Sequence, residues 1–161
     1  DILKKEPHAV WLVIGDGPKR ENIVSEIQKR QLQNVVRYIG GVPHEHLVHY
    51  YYLADLFVLL THPDNGREEG LGLVFLEAAS AGLAVVAGKS GGVSEAVRDG
   101  ETGRVLDVYH EAQKITETIA ALLGNPEERD RMGRAGKQRI DEIFQWKIQL
   151  KKLERWIGTV E

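Results

Sequence analysis

The chain has 161 residues, a net charge of −3 and no cysteine, with 42% apolar and 28% charged residues. That length suffices for one domain burying roughly 70% of its unfolded surface, in ordinary globular proportions. The charge excludes a whole-molecule field that would gather nucleic acid, and the lack of cysteine excludes disulfides, thiolate metal sites and thiol nucleophiles.

No apolar run approaches the ~20 residues of a membrane span, and the opening residues do not read as a signal peptide. The absence of cysteine is compatible with a cytoplasmic setting. Asp-Ile-Leu-Lys-Lys-Glu-Pro at the amino end reads as the tail of a helix over residues 1–6, stopped by Pro7. A piece of a longer protein is therefore expected.

Val10-Trp-Leu-Val-Ile-Gly15 is a continuous apolar run closed by the turn signal Asp16-Gly17-Pro18. Such a run predicts a strand covered on both faces, as in a parallel sheet. Arg20 to Gln31 places Ile23, Val24, Ile27 and Gln31 at helical spacing. Val35–Ile39 is a second strand ended by Gly40-Gly41, and His46 to Leu53 a short helix. Leu56–Leu60 is a third strand and Ala84–Ala87 a fourth, followed by Gly88 and Gly91-Gly92. A short helix follows over about 94–98, then a turn at Asp99-Gly100 and a fifth strand at Gly103–Leu106.

Two long helices come next, about 110–123 and 126–143. Asn125 is placed to cap the second, Pro126 suits its first position, and Glu128 sits where a capping-box acid would. Trp146 to Ile157 is a further amphipathic segment, with Ile148, Leu150, Leu153, Trp156 and Ile157 on its apolar side. Strands alternating with helices predict an α/β domain on a parallel sheet, whose ligands bind at the carboxyl ends of the strands.

The stretch after the third strand carries the chemistry. Glu69-Gly-Leu-Gly-Leu-Val-Phe-Leu-Glu77 sets two carboxylates around a glycine turn and the start of an apolar helix. Asn65, Gly66 and Gly70 make the approach a loop. The helix runs from about Gly72 through Leu73, Val74, Leu76, Ala78 and Ala79, ended by Gly82. The N–H groups of Gly72, Leu73 and Val74 leave the helix start unpaired, where donors and dipole together favour a phosphate. Glycine at 70 and 72 lets a ligand reach that backbone without meeting a Cβ. A phosphorylated, polyhydroxylated ligand fits: amides for phosphate, carboxylates for hydroxyls.

Other clusters carry less. His44, His46 and His49 fall within six positions and invite a metal reading, but a polar helix face explains them, and no metal is expected. His8, His62 and His110 have no partner at motif spacing. Thr61 and Ser94 lack an acid-and-histidine pattern for a hydrolase. Arg129–Arg139 is diluted by acids and reads as a solvated face, so no nucleic acid is expected. Glu95 after Gly91-Gly92 reads as a structural ion-pair or capping residue, and Gly15-Asp-Gly17 as a turn, since it lacks the dinucleotide spacing.

The motifs together resemble glycosyltransferase family 4, the retaining group-1 glycosyltransferases. Glu69 and Glu77 have that family's E-x7-E spacing. Gly15-Asp-Gly-Pro18 with Arg20 is similar to its GDGP-x-R, Tyr38-Ile-Gly40 with Val42-Pro43 to its FxGxVP, and Tyr51 through Ala54-Asp55 to its YxxAD. Gly91-Gly-Val-Ser-Glu95 and Asp99-Gly-Glu-Thr-Gly103 resemble its GGxxE…DGxTG, and Phe144 with Trp146 its FxW. Leu71 stands where the family usually has Phe, and Leu83-Ala84 where it has Thr-Pro.

The resemblance implies one Rossmann-like half of a GT-B fold: a doubly wound parallel sheet with helices on both faces, lacking its first strand. All of 1–161 is then the C-terminal, donor-binding domain of a two-domain enzyme. The strand ahead of Asp1 would carry an Arg-x4-Lys pair, and the acceptor site would lie on an N-terminal domain. It implies that Glu77 binds the nucleotide ribose and that Glu69 lies against the transferred sugar as the catalytic carboxylate. Backbone at Gly70, Leu71, Gly72, Leu73 and Val74 would hold the diphosphate and sugar, with Val42 near the base.

The implied function is transfer of a hexosyl group from an NDP-sugar, UDP- or GDP-linked, to a hydroxyl acceptor with retention, without cofactor or metal. The enzyme would be cytoplasmic; Lys147, Lys151 and Lys152 beside the apolar face of the last helix suit a peripheral contact with a membrane surface, but the resemblance implies that this helix packs back on the N-terminal domain. An NDP-sugar epimerase on the same fold, or a non-catalytic binding module, are the alternatives.

Overall fold

Val85–Gly88, the strand β4, is buried along its whole length, and both core clusters pack against it. The computed structural model describes residues 1–63, 66 and 68–157, the last three as backbone. Asn65 of the predicted approach loop, and the side chains of Trp156 and Ile157, lie outside the described residues.

The remaining strands are β1 (Trp11–Ile14), β2 (Val36–Gly40), β3 (Phe57–Leu59) and β5 (Gly103–Leu106). The helices are α1 (Ile2–Lys5), α2 (Arg20–Lys29), α3 (His44–Leu53), α4 (Leu73–Ser80), α5 (Val93–Ala96), α6 (Ala112–Leu123), α7 (Pro126–Arg139) and α8 (Trp146–Ile157). All strand pairs are parallel. Phe57 pairs with Val85 and Leu59 with Ala87, while Val85 pairs with Gly103 and Gly88 with Leu106.

Alternation along β4 sorts the core into two layers. Val85 and Ala87 face Phe75, Ala78, Val93 and Val97 from the α4 and α5 side. Ala84 and Val86 face Leu106, Ile115, Leu122 and Met132 from the α6 and α7 side. Helices thus cover both faces of the sheet around β4, as the α/β alternation predicts.

The ladder comes in two pieces. β3-β4-β5 is one sheet and β1-β2 another, and among the described residues no ladder joins β1 to β3. The break falls at the place where the doubly wound order sets its first strand, between the second strand and the fourth. It also corrects the expectation that Val10–Gly15 is covered on both faces. Val10 and Trp11 are 57% and 58% exposed, because β1 is paired on one edge only and α2 buries no residue against it.

Two helix ends carry the caps their sequence signals predict. Gly82, at φ +83°, closes α4: its N–H donates to Ala79 O at 2.9 Å and the Leu83 N–H to Ala78 O at 3.1 Å. This is the paired bond of a left-handed helix stop. Asn125 Oδ1 accepts the Glu128 N–H at 3.1 Å, with Pro126 in the first position of α7. The second half of the expected capping box does not form, because Glu128 pairs with Arg131 at 2.7 Å. The long helix predicted over 126–143 ends earlier, at Arg139, and gives way to a π-helical turn over Ile140–Phe144.

α7 buttresses α4. A Cβ at Gly133 would stand 1.9 Å from Gly82 O, and one at Gly136 would stand 3.3 Å from Ala79 Cβ. Two glycines one helical turn apart thus let α7 lie directly on the end of α4. α4 is in turn the element that positions the candidate site.

Candidate functional site

α4 begins at the carboxyl end of the sheet, after the loop that leaves β3. Gly72 precedes it at φ +70°, and Phe75 N–H donates back to Gly72 O at 2.9 Å. Among the described residues the N–H groups of Gly72, Leu73 and Val74 have no hydrogen-bond partner. They are the orphan donors of a helix start. No described backbone or side-chain acceptor plugs this tip, and Leu73 beside it is 65% exposed.

Gly72 is required for a reason the sequence reading did not give. A Cβ there would meet the Phe75 ring at 2.4 Å, so protein, and not only a ligand, closes on this backbone. At Gly70 nothing lies within 4 Å, which leaves that residue open as expected. Glu69 leans over the helix start, its Cγ 3.4 Å from the position of a Cβ on Gly72.

The Glu69 peptide is fixed from the next strand's loop. Its N–H donates to Ser90 Oγ at 3.1 Å, and its carbonyl accepts the Gly92 N–H at 3.1 Å. Ser90 is buried. A Cβ at Gly91 would stand 2.0 Å from Glu69 O, and one at Gly92 2.0 Å from Gly70 O. Gly91-Gly92 is therefore a platform on which residues 69–71 rest, and Leu71 packs into the α4-side core. The sequence signalled this only as a Gly-Gly pair; the surface it supports is set by tertiary packing.

Glu77 lies one turn after Leu73 on the same helical face, and helical side chains lean toward the amino end. It is partly buried, and Tyr51 Oη donates to its Oε2 at 2.9 Å. Burial, and then the hydrogen bond to Glu77 and its charge, push the Tyr51 phenol well above its ordinary range, so it remains a donor. Tyr51 packs on Phe57 at 5.7 Å, and Phe57 stands edge-on to Phe75 at 6.0 Å. One aromatic stack thus underlies both Glu77 and the Gly72 turn. Sequence reading used Tyr51 only as part of a motif and missed this bond.

Val42 is half-buried between β2 and α3. The described contact of its loop is to the turn after β1, where a Cβ on Gly41 would meet Asp16 Cβ at 3.6 Å. The structure brings together Glu69, Gly70, Leu71, Gly72, Leu73, Val74 and Glu77, and gives no contact that joins Val42 to them. At the α4 tip Leu73 is exposed and Val74 partly so, while Gly72 is buried. A hollow of about 720 Å³ adjoins the platform under Glu69, lined by Glu68, Lys89, Ser90, Gly91, Arg98 and Tyr109 among others.

The other clusters stay apart. His46 and His49 have ring centroids 6.3 Å apart, and among the described residues no group of three or more acids and histidines could hold a metal ion. Glu95 forms no ion pair among the described residues; its carbonyl, not its carboxylate, is used, accepting from Arg139 at 2.7 Å. No described helix is long and apolar enough to cross a membrane.

Known proteins share this arrangement of elements. A GDP-mannose-dependent phosphatidylinositol monomannoside mannosyltransferase of Mycolicibacterium smegmatis is 32% identical over 92% of this chain and 39% of its own length. Sucrose-phosphate synthase from Thermosynechococcus elongatus superposes with a TM-score of 0.76 at 28% identity, over 91% of this chain and 38% of that one. Anabaena HepE, solved in complex with UDP, superposes at 0.79 with 20% identity, over 98% of this chain and 44% of that one. The chain spans about 40% of the length of the curated relatives it matches. The family model for glycosyl transferases group 1 matches residues 1–139, and to that family this chain belongs.

Proposed function

We propose that the chain is the donor-binding part of an enzyme that transfers a hexosyl group from an NDP-sugar to a hydroxyl acceptor with retention. The observation that carries the reading is the α4 tip: free amides at 72–74, Glu69 leaning over them, and Glu77 on the same face. The pyrophosphate sits on the amides, where helix donors and dipole favour it. Glu77 accepts ribose hydroxyls and Glu69 faces the sugar. Val42 is assigned to the base by motif alone. The M. smegmatis relative is named for GDP-mannose and HepE was solved with UDP, which supports a sugar carried on a nucleoside diphosphate.

As the sugar leaves, the anomeric centre becomes cation-like and the diphosphate gains negative charge. Amides already aimed at that diphosphate favour the transition state over the bound donor. Glu69, an acid whose backbone is held at both ends by Ser90 and Gly92, orients the sugar and faces the positive centre. In this reading no metal takes part, and cations supplied outside 1–161 assist the leaving group. The enzyme works in the cytoplasm, and α8 packs its exposed Trp146, Leu150 and Leu153 on the acceptor-binding domain.

Calorimetric titration with UDP, GDP and their hexose conjugates tests the proposal. Glu77→Ala is expected to weaken nucleotide binding by about 1.5–3 kcal/mol, the worth of a hydrogen bond to a charged group. An unchanged affinity removes Glu77 from the site. Release of free sugar without an acceptor would mark a different reaction on the same fold.

A further inference from the structure

We propose that Tyr51 is a positioning residue for donor binding: by donating to Oε2 of Glu77 it fixes the carboxylate so that Oε1 meets the ribose. The proposal rests on the reading that Glu77 grips the ribose, and extends it to a residue on a different helix.

Three features of the geometry carry it. The bond is 2.9 Å and joins residues 26 apart in sequence, from the last turn of α3 to the middle of α4. A Glu side chain on a helix has several free torsions, and a tie at one oxygen removes most of that freedom before a ligand arrives. Tyr51 is itself anchored, its ring packed on Phe57, which stands on Phe75 beneath the Gly72 turn. The same stack that sets the height of the amide tip therefore sets the position of Glu77 relative to it. The spacing between the pyrophosphate and ribose contacts is held by one rigid body.

The choice of a phenol has a chemical consequence. A carboxylate offers about four lone-pair sites, and Tyr51 occupies one. A Lys or Arg in its place would neutralise the acid and compete for both oxygens. A neutral donor leaves the full negative charge for Oε1 to accept the ribose 2′-hydroxyl. Burial, the hydrogen bond to Glu77 and its charge keep the Tyr51 proton in place beyond the ordinary phenol range.

The test compares ribose with deoxyribose. The chain and its Tyr51→Phe variant are titrated with UDP, GDP, 2′-deoxy-UDP and 2′-deoxy-GDP, and both are unfolded in urea. Phe keeps the ring against Phe57 and removes only the hydroxyl. The expected result is a three- to tenfold loss of affinity for the better ribonucleotide, with the 2′-deoxy form changed less than about twofold. In a Glu77→Ala background, Tyr51→Phe is expected to add no further loss, since it acts through Glu77.

Equal losses for ribo- and deoxynucleotide, an undiminished ribose preference, or a further loss in the Glu77→Ala background overturn the proposal. So does a variant too unstable to fold, which assigns the hydroxyl to the core. A parent chain that shows no ribose preference refutes the ribose role of Glu77, and the proposal falls with it. That failure is read from the parent chain and is distinct from a failure read from the variant.

Discussion

Gly72 shows at the scale of one residue how tightly the site is drawn. Its backbone is left-handed, and the Phe75 ring occupies the space a methyl group would need. Gly72→Ala is therefore expected to cost about 2–4 kcal/mol, strain and ring displacement together, read as a fall in the urea midpoint. Tyr51 offers a second single-residue test. Its folded-state phenol is raised above the ordinary value of about 10. Below that pH both states carry the proton. Above it the unfolded chain releases its proton first, which favours unfolding, so this contribution to stability is lost as pH rises. Tyr51→Phe should lose stability less steeply than the parent between about pH 9 and 11, and parallel slopes would show the phenol to be unperturbed.

Between elements, the decisive contact is the loop 69–71 resting on the loop after β4. Ser90→Ala removes the acceptor of the Glu69 N–H and should cost about 1–3 kcal/mol of stability, the price of a half-buried donor left unpaired. Since Glu69 is assigned to the sugar, the variant should bind the free nucleotide as before and lose its preference for the nucleotide-sugar. Gly92→Ala should do more, because a Cβ 2.0 Å from Gly70 O must push the whole loop away. Competition between nucleotide and nucleotide-sugar in calorimetry separates the two effects; equal weakening of both ligands in Ser90→Ala would place the loop's role at the phosphates instead.

At the scale of the whole molecule, the five strands and the order of helices were legible because each carries its own local signal. Val85–Gly88 is apolar and opens on two β-branched residues, Gly82 and Asn125 sit at true helix ends, and the helical spacing of 20–31 gives α2, which stops at Lys29 with Gln31 beyond it at φ +55°. The candidate site was read as a stretch, Glu69–Glu77, because a helix start after a strand has a fixed geometry. What was not legible depends on parts distant in sequence. Nothing in Tyr51 announces a bond to Glu77, and Gly91-Gly92 or Gly133 and Gly136 look like turns or weak helix until a backbone is laid on them. The exposed Trp11 strand escaped for the same reason. An apolar run predicts burial, but burial needs a covering partner, and α2 does not provide one.

In the proposed function the tip of α4 receives the phosphates of a nucleotide. Backbone amide NMR of the chain titrated with GDP and with UDP tests it most directly. The prediction is that the resonances of Gly72, Leu73 and Val74 move first and furthest, with Glu69 and Glu77 next and the strands behind them still. Shifts confined to the hollow around Lys89, Arg98 and Tyr109, with 72–74 unmoved, would contradict it.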